Sequence, residues 1–239
     1  MISVCIATHN GERYLRQQLD SIMPQLSGED EIVISDDQST DSTRTLVASY
    51  DSPRIRLIDG PCLGVTKNFE NALKHARGDY IFLADQDDMW TPDKVEVSLR
   101  YLAQYDCIVS DCFVTDGDLR VVHESFQTLL GGRTGMAYNL LIRNCYIGCC
   151  MAFSRRVLEA CIPFPANIPL HDIWIGNVAA ALFNVHFMQE RLVFFRRHNA
   201  SASSSAHPST YGLWRRLQFR RVVAVALAKL LLRRKFKES

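Results

Sequence analysis

Tyr80-Ile81-Phe82-Leu83-Ala84-Asp85-Gln86-Asp87-Asp88 decides the fold and points to the chemistry. A short, mainly apolar run leads straight into three carboxylates, so the stretch reads as a buried strand that ends in an acidic corner. Carboxylates this close repel one another, and each would be left partly neutral unless a cation compensated. Hard oxygen donors on a short loop suit Mg²⁺ or Mn²⁺, which complete their shells with water and substrate phosphates, so the expected ligand is a metal–diphosphate. A solvated acidic turn uses the same letters. The apolar strand before it favours a ligand site, because open α/β sheets bind at the carboxyl ends of their strands. A calcium loop is rejected: Glu96 falls at the twelfth position from Asp85, but Trp90 stands where that loop needs glycine.

Working outward, strand and helix alternate. Residues 2–7 are rich in β-formers, Thr8-His9-Asn10-Gly11 breaks them, and 12–23 carries Tyr14, Leu15, Leu19 and Ile22 at helical spacing. A second strand over 31–35 ends at Asp36-Asp37, and Ser39, Thr40 and Asp41 are N-cap candidates for a helix through Tyr50. A third strand covers 55–58, followed by the turn Asp59-Gly60-Pro61 and a helix over 64–76. After the acidic corner Pro92 introduces a helix over 93–103, and 107–110 is a fifth strand. The alternation predicts a mainly parallel sheet with covering helices. Beyond Asp111 the pattern is less regular. Asp116-Gly117-Asp118 reads as a hairpin turn, 136–142 as helix, 148–153 as a buried strand and 171–182 as helix. Residues 185–188 and 192–196 read as strands, and 199–209 as a Ser/Ala-rich loop.

At 239 residues and 47% hydrophobic content the chain suits one well-buried α/β domain and excludes disorder. Eight cysteines are scattered, several in apolar runs, with no Cys-x-x-Cys or Cys/His spacing for zinc, so they read as buried thiols of a reducing compartment. No basic leader with a cleavage site opens the sequence and no uncharged apolar run reaches the length of a membrane span, so a cytoplasmic protein is expected. The net charge of +1 hides a split: residues 213–239 hold nine Lys/Arg against one acid, and the rest holds eighteen against twenty-five. The tail brackets the apolar segment 222–232 with Arg215, Arg216, Arg220 and Arg221 before it and Arg233, Arg234, Lys235 and Lys237 after. It is too short and charged to span and is expected to lie on an anionic membrane surface, the alternative being a helix packed on the domain or pairing two subunits. The acidic body disfavours nucleic acid.

Four patterns occur in order: Val4-Cys5-Ile6-Ala7-Thr8-His9-Asn10-Gly11, then Ile34-Ser35-Asp36-Asp37-Gln38-Ser39-Thr40-Asp41, then the acidic corner through Trp90 with Pro92-Asp93, then His171-Asp172-Ile173-Trp174. Together these resemble the inverting glycosyltransferases of family two, whose fold is GT-A. The last two, with Arg196-Arg197-His198-Asn199, look most like the branch that includes bacterial rhamnosyltransferases of surface polysaccharide assembly. The resemblance covers about residues 1 to 200 and implies a Rossmann-like GT-A domain, bounded here as 1–212, with a mixed, mainly parallel sheet flanked by helices; the basic helical tail over 213–239 lies outside it.

It also implies roles. Thr8, Asn10 and their loop would border the nucleotide, and Asp37 would accept a hydrogen bond from the N3–H of uracil or thymine. Asp36 or Asp41 would otherwise simply cap the next helix. Asp87 would bind the metal directly, with Asp85 on the ribose or on metal-bound water and Asp88 orienting its neighbours. Lys67 and Asn68, opening a helix, would touch pyrophosphate or sugar, unless Lys67 lies on a solvated face. Asp172 would be the general base: an inverting transfer needs a carboxylate beside the attacking hydroxyl and a metal at the leaving group, and no covalent nucleophile. A helix cap is its alternative. His171 would position or pack. His198, flanked by Arg196 and Arg197, would face the diphosphate or the metal, the alternative being a solvated basic loop. The chain departs from the family pattern at His9, where tyrosine is frequent, and at Gln86, where a small residue is usual. Both bear on donor preference more than on reaction type.

The implied activity is a Mn²⁺- or Mg²⁺-dependent, inverting transfer of a hexosyl or deoxyhexosyl group. The donor would be a UDP-, dTDP- or GDP-sugar and the acceptor a saccharide hydroxyl, on a lipid-linked precursor at the inner face of the cytoplasmic membrane. Two rivals stand beside it. A nucleotidyltransferase lacks support, since no glycine-rich or basic triphosphate loop follows the first strand and GxxxxGK[ST] is absent. A membrane-associated nucleotide-sugar binding module without chemistry would bind donor and neither transfer nor hydrolyse it.

Overall fold

The computed structural model describes residues 1–131, 135–142, 144–198 and 212–235. Its strands are β1 (Ile2–Thr8), β2 (Glu31–Asp36), β3 (Ile55–Asp59), β4 (Tyr80–Asp85), β5 (Met89–Trp90), β6 (Cys107–Thr115), β7 (Val121–His123), β8 (Met151–Ser154) and β9 (Val185–Arg196). Its helices are α1 (Leu15–Ile22), α2 (Thr43–Ala48), α3 (Val65–His75), α4 (Lys94–Leu102), α5 (Phe126–Leu129), α6 (Met136–Leu141), α7 (Arg155–Cys161), α8 (His171–Leu182) and α9 (Leu213–Lys235). The strands form one sheet in the order β3-β2-β1-β4-β8-β6-β9-β5, with β7 on β6.

The half of the sheet built from β1 to β4 is parallel. Val4, Cys5, Ile6, Ile32, Val33, Ile34 and Ile81 to Ala84 are sealed from solvent, which is why these segments read as continuous apolar runs. Register then sets the site. Thr8 pairs with Asp36, Asp36 with Asp59, and Ala7 with Asp85, so the strands deliver polar residues side by side at their carboxyl ends.

The other half is mixed. β4 and β6 both run antiparallel to β8, while β6 runs parallel to β9. The strands expected at 185–188 and 192–196 are one strand of 12 residues, bent where its register with β6 shifts around Asp111. The fifth strand continues past Ser110 to Thr115, and the turn at 116–118 leads into β7, closed by Asp116 Oδ1 accepting from the Asp118 and Arg120 N–H groups at 2.9 Å each. Gly148 to Cys150 form a 3₁₀ turn before β8. Residues 199–209 and the tail end 236–239, both read from sequence, lie outside the described residues.

α9 packs its inner face on α6 and α8, burying Val223 and Leu227 and hydrogen-bonding Arg220 to the Ile142 carbonyl. The packed-helix alternative therefore holds for that face. Trp214, Leu217, Val225 and Leu232 remain exposed, Trp214 by 84%. The helix is apolar on two sides, which blurs any single amphipathic stripe. Among the described residues no helix is long and apolar enough to cross a membrane.

Candidate active site

Burial separates the two aspartates at the end of β2. Asp36 is sealed: Oδ1 accepts from Thr8 Oγ1 at 2.9 Å and Ser39 Oγ at 2.5 Å, Oδ2 from the Ser39 N–H at 3.0 Å and Arg44 Nη1 at 3.1 Å. Burial alone would raise its pKa, but these donors hold it below the ordinary carboxylate range. Asp36 thus braces the loop. Asp37 is half-buried: its N–H donates to the Thr8 carbonyl at 2.9 Å and Oδ1 accepts from the Cys62 N–H at 2.9 Å. Its Oδ2 meets no donor among the described residues. Gly60 makes this approach possible, since a Cβ there would lie 2.2 Å from Asp37 Oδ1 and 2.7 Å from Asn68 Oδ1.

Asn68 is buried; Nδ2 donates to the Thr8 carbonyl at 3.1 Å and Oδ1 has no partner among the described residues. Thr8 offers its backbone at this edge while its side chain is buried on Asp36. Asn10, at φ 50°, ties the first loop to the second, its Oδ1 accepting from the Thr40 N–H and its own N–H donating to Ser39 Oγ, both at 2.8 Å. The Lys67 ammonium is taken by Glu70 at 2.6 Å, so its charge is balanced locally. His9 and Gln86 turn out to be partners: Gln86 accepts from the His9 N–H at 3.0 Å and donates to the His9 carbonyl at 3.1 Å.

At the acidic corner Asp85 is half-buried and its pKa is pushed up to about 8, by burial first and then by the charges of Asp87 and Asp172. Asp88 is fully buried; Oδ1 accepts from the Arg196 N–H at 2.9 Å, Oδ2 makes no well-formed hydrogen bond among the described residues, and the Cys149 thiol lies beside the carboxylate. Burial and the neighbouring carboxylates push its pKa up too. Asp87 Oδ2 meets His198 Nε2 at 2.8 Å. That contact comes from β5, which pairs antiparallel with β9 (Met89 with Phe194) and draws residues 196–198 to the corner. Arg196 is a clamp: Nε donates to the Asp87 carbonyl at 2.7 Å, Nη1 to Gly117 O at 2.6 Å and Nη2 to Gln17 Oε1 at 2.7 Å, with the guanidinium 4.3 Å over the Tyr14 ring. Arg197 donates its N–H to the Thr115 carbonyl at 2.9 Å and lies within charge range of Asp87 and Asp88.

Asp172 opens α8 and reaches the same corner from the other side of the chain. Burial pushes its pKa up to about 7, against the N–H groups of Ile173, at 2.6 Å, and Gly148. His171 stacks on Phe69 with centroids 3.9 Å apart, and burial drives its pKa down to about 3, so it is a neutral packing group near pH 7. Gly148 allows its closeness, because a Cβ there would lie 2.7 Å from His171 Nε2.

The structure thus brings Asp85, Asp87, Asp88, Asp172 and His198 together, with Asp37 and Asn68 along the parallel edge. Sequence reading missed two neighbours. Ligand atoms of Cys149, Asp85 and Asp88 all lie within 4.8 Å of one another. Lys94 is 1% exposed, donates Nζ to the Cys149 carbonyl at 3.2 Å, and sits 5.0 Å from the Trp90 ring. Lys94 shares a helix face with Val97 and Ser98, a readable signal; Cys149 in an apolar run offered none. The carboxylates fit a hard divalent cation: Asp87 keeps one oxygen off His198, and the crowding of carboxyls that pushes the Asp85 pKa up is what a bound cation would relieve.

The sequence profile described as Glycosyl transferase family 2 matches residues 3–162. TuaG of Bacillus subtilis, a glycosyltransferase assigned to teichuronic acid biosynthesis, is 25% identical over 90% of this chain and 86% of its own length. WfgD of Escherichia coli, a UDP-Glc:alpha-D-GlcNAc-diphosphoundecaprenol beta-1,3-glucosyltransferase, is 26% identical over 69% of this chain. Among solved structures, S. aureus TarS 1-349 with UDP-GlcNAc superposes with TM-score 0.70 at 19% identity, covering 93% of this chain. The mannosyltransferase PcManGT of Pyrobaculum calidifontis, with GDP-Man and Mn²⁺, superposes with TM-score 0.62 at 20% identity over 97%. The chain spans 64% of WfgD, 66% of the TarS fragment and 64% of PcManGT. The fold shared with these structures is GT-A.

Proposed function

The chain belongs to glycosyl transferase family 2, and on that premise we propose that it transfers a hexosyl or deoxyhexosyl group, with inversion, from a nucleoside diphosphate to a saccharide hydroxyl. The acceptor is a lipid-linked precursor of a bacterial surface polysaccharide, and the chain stands near the rhamnosyltransferase branch. The observation that carries this reading is the approach of Asp172, from α8, to within charge range of Asp85 at the end of β4. A proton acceptor and a diphosphate-holding corner then face one reaction centre.

Each residue has a task. Asp37 accepts the N3–H of uracil or thymine through Oδ2, while Thr8, Asn10 and Asn68 shape the pocket for base and ribose. Asp87 and Asp85 hold Mn²⁺ or Mg²⁺, with His198 beside them, and Asp88 fixes the loop through the Arg196 backbone. The ion, when bound, neutralises charge on the departing diphosphate. Asp172 takes the proton of the attacking hydroxyl at a carboxylate oxygen. Arg196 and Arg197 position the corner, and Lys67 meets the donor only by leaving Glu70. UDP, dTDP and GDP sugars are the candidate donors. The acceptor class takes support from WfgD, whose name carries a diphosphoundecaprenol acceptor.

The domain over 1–212 does the chemistry and α9 lies on the inner face of the cytoplasmic membrane. Trp214, Leu217, Val225 and Leu232 insert at the interface while Arg215, Arg221, Lys229 and Arg233 meet anionic headgroups. Replacing Trp214 and Leu217 by Glu should abolish co-sedimentation with phosphatidylglycerol vesicles and spare donor hydrolysis; unchanged sedimentation refutes the docking.

The central test is a thermal-shift panel of UDP, dTDP and GDP with and without Mn²⁺, because a ligand that binds only the folded chain raises its melting midpoint. One nucleotide class should shift it, more with metal; a panel with no shift overturns the assignment. Asp172→Asn should keep that shift and lose transfer, whereas turnover at the wild-type rate removes Asp172 as base.

A further inference from the structure

We propose that Asp85, Asp88 and Cys149 form a site for a thiophilic divalent ion of the zinc class, overlapping the diphosphate corner only at Asp85. The three ligand atoms come from the end of β4, the loop after it and the 3₁₀ turn Gly148–Cys150, and lie no more than 4.8 Å apart. A zinc-class ion with Zn–S of about 2.3 Å and Zn–O of about 2.1 Å places tetrahedral ligands roughly 3.5 Å apart, a gap that small side-chain rotations close.

A second observation points to a ligand. Asp88 is sealed from solvent, its Oδ1 is fixed by the Arg196 N–H at 2.9 Å, and Oδ2 makes no well-formed hydrogen bond among the described residues; the donor near this carboxylate is the Cys149 thiol, whose proton an ion would replace. Charge also balances. Two carboxylates and a thiolate around a doubly charged ion leave one net negative charge, and the Lys94 ammonium lies at the Cys149 carbonyl, 3.2 Å away, to meet it. Asp85 is half-buried, the least enclosed of the three ligands, and would give the ion its access. Binding releases to solvent the Cys149 thiol proton and any proton held by the Asp85 and Asp88 carboxyls. Sulfur is the discriminating donor: it selects zinc-class ions over Mg²⁺ or Mn²⁺. Resting on the proposed function, occupation of Asp85 by such an ion inhibits Mn²⁺-supported transfer.

Cobalt(II) titration of the full chain under anaerobic, phosphine-reduced conditions tests the site without nucleotide or turnover. A near-ultraviolet thiolate-to-cobalt band should appear, be removed by Zn²⁺, disappear in Cys149→Ser and persist in Cys150→Ser and Cys62→Ser. Asp88→Asn, which leaves the thiol in place, should weaken cobalt binding at least tenfold. X-ray absorption of the cobalt-loaded wild-type chain should show one sulfur neighbour, a readout that needs no variant to fold. Absence of the band, its survival in Cys149→Ser, or a shell of oxygen and nitrogen alone overturns the site. None of these outcomes touches the transferase reading, which the nucleotide panel tests separately.

Discussion

Asp172 should write its titration into the transfer rate. Burial places its carboxyl at about 7, and the N–H groups of Ile173 and Gly148 already oppose that rise. A general base works ionised, so the sign is fixed: activity is full above the pKa and lost below it. At pH 6 about one-eleventh of the chains hold Asp172 as carboxylate, and at pH 5 about one-hundredth, so the rate should drop about tenfold per pH unit on the acid side. Asp85, pushed up to about 8, adds a second proton at low metal, because its protonated form competes with the cation. Saturating Mn²⁺ suppresses that second step and leaves a limb of unit slope. The assay is the initial rate of nucleoside diphosphate release with acceptor present, from pH 5 to 9, at saturating and limiting Mn²⁺. A rate that stays level down to pH 5 at saturating metal, or a limb with unchanged midpoint in the residual activity of Asp172→Asn, refutes the reasoning.

Two further outcomes separate bracing from chemistry. Asp36→Ala strips the partner from Thr8, Ser39 and Arg44 in a sealed site and should cost roughly 2–4 kcal/mol in urea unfolding, whereas Asp37→Ala, which gives up the one hydrogen bond from the Cys62 N–H, should cost about 1 kcal/mol and lose discrimination between uracil and cytosine nucleotides; the reverse pattern would show that the two roles are exchanged. Gly148→Ala drives a Cβ to 2.7 Å from the buried His171 Nε2 and should lower kcat at least tenfold with donor KM little changed, and Gly148→Ala/His171→Ala should recover part of that loss; a double variant as slow as the single one would rule out the His171 contact as the cause.

Legibility followed locality. β4 and its acidic corner could be read because one apolar run and three carboxylates are contiguous, and α8 because His171 to Leu182 keeps helical character throughout. β5 could not, since a two-residue strand exists only through its partner β9, more than a hundred residues away. The different settings of Asp36 and Asp37 could be expected only through the family resemblance, because alternation puts adjacent residues on opposite faces and the residues alone do not say which face is dry. His9 and Gln86 read as two independent departures from the family pattern, yet they bond each other across the loops after β1 and β4. Lys67 read as a phosphate contact because nothing in its own segment reveals that Glu70 is drawn inward by the Phe164 N–H, 94 residues further on.

β9 bears on how the protein comes into being on the ribosome. The parallel half emerges first and can fold around its own apolar strands. Asp88 waits 108 residues for the Arg196 backbone, and Asp87 waits 111 for His198. The acidic corner is therefore complete only once the chain has been made through His198, so any activity that depends on it begins only after the last strand has joined the sheet.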